Sequence, residues 1–173
     1  MDREDLGVDD RRAFEFFRAR LEGTDAVLSR NGAPPELPYC ASILAHFSST
    51  SAAATEGMPA PRDLTDVFDQ YVLSTLGHND PACMEDAGAK TLLLVGFFHR
   101  AMAASRHNVD WYRRLGRSFF HEAASLTGDQ RRKYVLTLVS QRFDLWQLAF
   151  CELEMALRHE RFLLTLDDPT RHS

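Results

Sequence analysis

The sequence predicts an all-α fold, a single bundle of about six or seven helices, on three observations. Apolar residues recur three and four positions apart along most of the chain. Clusters of Asn, Asp, Gly and Pro interrupt those runs at intervals suited to short connections. No alternating apolar–polar stretch of useful length suggests a strand. Hydrophobic residues make up 45% of the 173 and charged residues 26%, enough to fill a core and ordinary for a globular domain. The chain therefore reads as one helical domain over 1–173, with loose termini at 1–8 and 167–173.

The elements follow in order. Asp9 and Asp10 are candidate caps for a helix through Phe14, Phe17 and Leu21, which Gly23 ends. Asn31-Gly32-Ala33-Pro34-Pro35 marks a loop, and Pro38 suits the first turn of a second helix through Tyr39, Ile43 and Phe47. Residues 48–61, rich in Ser, Ala, Thr, Gly and Pro, read as a mobile loop or a frayed helix end. Asp63 can cap a third helix through Leu64, Val67, Phe68, Tyr71 and Val72. Asp80-Pro81 is a cap followed by a first-turn proline.

The next helix, near 90–104, is apolar almost all round, which predicts a central position. Gly96 in its middle costs roughly 1 kcal/mol relative to Ala, so a neighbouring helix is expected to approach closely there. Asn108 or Asp110 starts a helix through Tyr112, Leu115, Phe119 and Leu126, with Gly116 on the same face. Thr127-Gly128-Asp129 stops it and caps the last helix. That helix buries Leu138, Val139, Trp146, Ala149, Phe150, Leu153 and Leu157. Opposite them run Ser140, Asp144, Gln147, Cys151, Glu154 and Arg158 as a polar row.

No apolar run approaches the roughly 18 residues of a membrane span. The start, Met1-Asp2-Arg3-Glu4-Asp5, lacks the basic segment and apolar run of a secretory leader. The three cysteines (Cys40, Cys83, Cys151) are widely spaced and form no CxxC pair, so reduced thiols in a cytoplasmic setting are expected. The formal net charge of −5 counts against a nucleic-acid coat. Residues 1–90 hold 16 acids and 8 Lys/Arg, a balance of −8; residues 91–173 hold 9 and 12, a balance of +3. The halves are thus suited to attract each other within one domain or across a dimer.

Motifs for chemistry are sparse. No Glu-x-x-His or His-x-x-x-His pair aims two metal ligands along one helix face, so no metal and no cofactor are expected. No Gly-x-Ser-x-Gly elbow or glycine-rich phosphate loop occurs. Glu152 and Glu154 beside Cys151 would raise the thiol's pKa, against the needs of a nucleophile. His99 stands out because an imidazole on the most apolar helix needs a partner; it is either hydrogen-bonded near the helix end or a ligand contact. Arg113 and Arg117 beside Trp111 and Tyr112, with Arg114 between, form a basic cluster where helix starts normally prefer acids. They either bind an acidic or anionic partner or pair with the acidic first half.

Ala87-Gly88-Ala89, Leu92-Leu93-Leu94-Val95-Gly96-Phe97-Phe98, Asn108-Val109-Asp110-Trp111-Tyr112 and Leu115-Gly116 together resemble a loosely defined group of small all-helical bacterial proteins without assigned activity. The similarity covers 64–160. Members often carry Gly-Asp where this chain has Gly88-Ala89, and Pro where it has His99. The resemblance implies a helical fold and a bacterial origin, and it brings no catalytic residues.

The expected function is a non-catalytic binding or scaffolding protein, with a protein partner or self-association into a homo-oligomer. A second reading is a small-molecule- or metal-binding bundle, conceivably an enzyme, around His99, Trp111 and Tyr112. A third is nucleic-acid or anion binding through the arginine-rich helix starts.

Overall fold

The computed structural model describes residues 3–53, 80–104 and 106–166, with side-chain surroundings for 10–49, 80–104 and 106–160. It is all-α: no strand occurs among the described residues. The helices are α1 (Arg3–Glu22), α2 (Asp25–Leu28), α3 (Leu37–Ala53), α4 (Pro81–Leu92), α5 (His99–Ala104), α6 (Val109–Leu126), α7 (Gln130–Gln141) and α8 (Phe143–Leu166). A π-helical segment, Leu93–Phe97, joins α4 to α5. The main pairings set α4 along α6, α1 along α3, α6 along α7, and α8 across the π segment.

Local chemistry accounts for most boundaries. Asp80 accepts from the Ala82 amide at 3.1 Å, with Pro81 in the first turn of α4. Asn108 accepts from the Trp111 amide at 3.1 Å and starts α6. Asp129 accepts from the amides of Arg131 and Arg132 at 3.0 and 3.4 Å and starts α7. Each such cap satisfies an amide the helix cannot, typically for about 1 kcal/mol.

Four boundaries differ from those the sequence suggested. Helix α1 begins at Arg3 rather than after Asp9 and Asp10, because nothing among residues 3–8 blocks a helical backbone. Helix α3 runs to Ala53, through positions 48–53 of the expected loop, since Ser48 and Ser49 bond back to the Ala45 carbonyl and need no other conformation. The central helix is not continuous over 90–104: it widens at Leu93–Phe97 and turns at Phe98. The last helix is two, broken at Arg142 (φ −108°, ψ 24°). The rest of the expected loop (54–61), the helix expected after Asp63, and the tail 167–173 lie outside the described residues.

The core is aromatic. Phe119, Phe120, Phe143, Trp146 and Phe150 are fully buried, from α6 and α8. Burying one such side chain is worth about 1.5–3 kcal/mol. The Phe120 ring stands edge-on to Tyr39 and tilted against Phe143, each with centroids 6.2 Å apart, so it ties α3, α6 and α8 together.

The π segment explains Gly96. A Cβ there would lie 2.7 Å from the Phe150 Cβ and 3.3 Å from the Gln147 carbonyl, so only glycine admits α8 at this distance. The wider turn closes with Phe98 N–H donating to the Leu93 carbonyl at 2.9 Å. Its displaced carbonyls take donors from α8: Gln147 Nε2 reaches the Val95 oxygen at 3.2 Å, and Cys151 Sγ the Gly96 oxygen at 3.2 Å. Part of the polar row predicted on the last helix thus serves this junction.

Gly96→Ala is expected to destabilise the fold by about 1–3 kcal/mol through overpacking, outweighing the up to ~1 kcal/mol that alanine gains in a helix. Gly128→Ala, with nothing within 4 Å of the added Cβ, should be nearly neutral. Denaturant unfolding compares the two, and equal stability would contradict the close-approach account.

Candidate functional site

Four constellations carry the polar chemistry of the described residues. The first surrounds the π segment. His99, at the start of α5, points Nδ1 at the Gly96 carbonyl at 2.9 Å. A carbonyl only accepts, so Nδ1 carries the hydrogen and Nε2 is the basic nitrogen. This is the hydrogen-bonded alternative expected of an imidazole on an apolar helix. Cys151 is half-buried, and burial, followed by Glu154 and then Glu152, pushes its thiol up to about 11. Those causes match the sequence argument against a nucleophile.

The second is a groove of about 710 Å³ between α3 and α4, bordered by α7. Ile43, Phe47 and Leu93 supply apolar wall. Glu85 is nearly buried and accepts from Arg132 Nε at 2.8 Å, Arg132 Nη2 at 2.7 Å and Tyr39 Oη at 2.9 Å. The bidentate guanidinium fork and the phenol satisfy this carboxylate. Burial, then the negative charge of Glu85, raises the Tyr39 pKa and holds the phenol protonated. Neither Glu85 nor Tyr39 was singled out for chemistry in the sequence, because their meeting depends on helices 46 positions apart.

The third is the most buried ionic contact. Glu36 has no exposed surface. It accepts from Arg142 Nη1 at 2.9 and 3.0 Å and from Trp146 Nε1 at 3.1 Å. The turn at Arg142 that splits α7 from α8 places this guanidinium beside the start of α3.

The fourth is the corner between α5 and α6. Trp111 is 48% exposed, and its ring stands edge-on to buried Tyr112 at 4.8 Å between centroids. The His107 ring is tilted against Tyr112, with centroids 6.0 Å apart. Arg113 pairs with Asp110 in its own helix and reaches Asp144 of α8 at 3.7 Å. Arg117 pairs with Asp144 at 2.8 Å. The acids facing this cluster therefore come from the second half of the chain, not the acidic first half; the bend at Arg142 brings the start of α8 beside α6. Such exposed pairs are worth about 0–1 kcal/mol each, so they orient side chains more than they stabilise.

Arg106 and Arg114 are exposed and make no ion pair or side-chain hydrogen bond among the described residues. Arg106 sits in the turn before α6 with φ 57°, and Arg114 lies one helical turn beyond Trp111. The structure thus groups Trp111, Tyr112, Arg113 and Arg117 at one corner. His99 belongs to the π junction and does not line the α3–α4 groove. Among the described residues no group of three or more His, Cys, Asp or Glu side chains is placed to hold a metal ion.

The raised thiol gives a test with a definite sign. The folded state holds the Cys151 proton more tightly than the unfolded chain. Its contribution to stability is therefore present below the ordinary thiol value of 9.0 and lost as pH rises through about 11. Alkylation of Cys151 against pH, read by mass spectrometry, should show a midpoint near 11. A midpoint below 9.0 would restore the nucleophile reading.

No family model, curated protein or solved structure matches the chain.

Proposed function

We propose that this chain is a non-catalytic, cytoplasmic helical binding protein whose docking face is the α5–α6 corner, and that the occupant is an acidic segment of a partner protein. The observation that carries the reading is Trp111, a large aromatic left half-exposed at a capped helix start, with Arg106 and Arg114 beside it in sequence and unpaired among the described residues. Tryptophan and arginine are the side chains that most often dominate binding energy at protein interfaces. Asp110 and Asp144 offset the charges of Arg113 and Arg117, so attraction for an acidic segment falls to Arg106 and Arg114. The nearly buried Glu85 supports the same class of function: it is engaged by Arg132 and Tyr39 and needs no substrate to explain it. No helix among the described residues is long and apolar enough to cross a membrane.

The α3–α4 groove supports a second reading, a small-molecule site, because its volume of about 710 Å³ suits a drug-sized ligand. Native mass spectrometry of the protein purified from its own cells separates the readings: a ligand mass lost on denaturation supports the groove.

For the docking face, Trp111→Ala with Arg114→Glu should weaken binding of an acidic partner, or of a poly-glutamate probe, by about a hundredfold, corresponding to ~2.7 kcal/mol. Binding by the unaltered protein should fall as salt rises. Both positions are exposed, so circular dichroism and unfolding should change little. Binding that ignores both the substitutions and salt would remove this face from consideration. Self-association abolished by the same pair would identify the partner as a second copy.

A further inference from the structure

A separate feature, independent of the α5–α6 corner, concerns the buried Glu36. A buried Glu–Arg pair is not explained by stability alone, because well-packed apolar residues of similar volume often do as well or better. What the pair does achieve is to hold one guanidinium in a fixed pose. Both Glu36 oxygens accept from a single nitrogen, Arg142 Nη1, at 2.9 and 3.0 Å, and Trp146 Nε1 anchors the carboxylate from behind at 3.1 Å. The Nε–Nη2 edge of Arg142 makes no hydrogen bond among the described residues, and the side chain retains 27% exposure. That edge is the one suited to two parallel hydrogen bonds with an oxyanion.

Arg142 lines a small cavity of about 220 Å³ under the α2–α3 connection. Arg30 lines it too, exposed and without an ion pair or side-chain hydrogen bond among the described residues. The connection from Arg30 runs through Asn31 and Gly32 (φ 93°) to Pro34 and Pro35. Gly32 admits the left-handed turn, and the two prolines stiffen this wall. Pro34 also accepts from the Leu37 amide at 3.0 Å, which secures the connection to the start of α3. Glu36 neutralises one of the two cavity arginines, leaving a surplus of one positive charge suited to a small anion.

We infer that the cavity between the α2–α3 connection and the α7–α8 junction is a binding site for an oxyanion, a carboxylate or a phosphate group. Arg142 is the positioned fork, Arg30 the second cation, and Glu36 the residue that holds the fork in place. Carboxylate and phosphate present the same acceptor edge, and the test tells them apart.

Inorganic phosphate and acetate are titrated separately into the full-length protein at constant ionic strength, with the arginine Nε–H resonances followed by NMR. The Arg30→Ser and Arg142→Lys variants assign the signals. Saturable shifts of Arg142 and Arg30 are expected with at least one of the two anions, and the stronger identifies the ligand class. Arg30→Ser should weaken that binding about tenfold, which converts to ~1.4 kcal/mol. Glu36→Gln separates positioning from charge alone. It makes the cavity more positive, so charge alone predicts tighter binding, whereas loss of the held fork predicts weaker binding. If Glu36→Gln does not fold, Arg30→Ser still decides, because that side chain is exposed and makes no ion pair or side-chain hydrogen bond among the described residues. Shifts that are linear, or the same with chloride, or unchanged by Arg30→Ser would overturn the site. Tighter binding by folded Glu36→Gln would overturn the role given to Glu36.

Discussion

The contact on which the bundle depends is the approach of α8 to the π segment at Leu93–Phe97. It joins packing and hydrogen bonding in one place. Gly96 lets the Phe150 Cβ come close enough that any larger residue would collide. The same approach brings Gln147 and Cys151 within reach of the Val95 and Gly96 carbonyls on the wide turn. Without α8 the Val95 carbonyl would lose its side-chain donors, whereas the Gly96 carbonyl would keep His99 Nδ1 at 2.9 Å.

From that junction the rest of the architecture follows. With Phe150 seated on Gly96, Trp146 and Phe143, one and two turns earlier on α8, enter the core, where Phe143 meets Phe120. A Cβ on Gly116 would lie 2.6 Å from the Phe143 ring, so a second glycine makes room for the same helix. The break at Arg142 redirects the chain from α7 into α8, and two consequences follow. The guanidinium meets Glu36, and Asp144 is delivered to Arg113 and Arg117. A change of backbone direction at one residue thus decides which of these charges are buried and which are offset at the surface.

The polar groups divide accordingly. Tyr39, Glu85 and Arg132 form a satisfied cluster spanning α3, α4 and α7, and the groove beside them is shaped by that closure. Trp111 and the arginines near it face outward. The imidazole of His99 is oriented by a backbone carbonyl three residues earlier, so its place belongs to the architecture of the π turn. In this bundle burial and hydrogen bonding engage His99 and Cys151, whose chemistry looked suggestive in the sequence, while Trp111 stays exposed.

The sequence by itself determined the helical class, the caps at Asp80 and Asp129, a helix start at Asn108 or Asp110, and the need for a close neighbour at Gly96. These rest on local physics: 3.6-residue periodicity, side-chain oxygens that satisfy free amides, and a missing Cβ. The Arg–Trp cluster at the start of α6 was legible as well, because its members are neighbours in sequence. Its acidic partners were not. The π turn, the break at Arg142, the pairing of Glu36 with Arg142 and the Tyr39–Glu85–Arg132 cluster were decided only by tertiary structure. Glu36 and Arg142 stand 106 positions apart, and no local preference distinguishes either from a solvated surface charge. A carboxylate becomes a buried anchor only when packing removes its water and supplies donors in its place, and that requires the helices to have met.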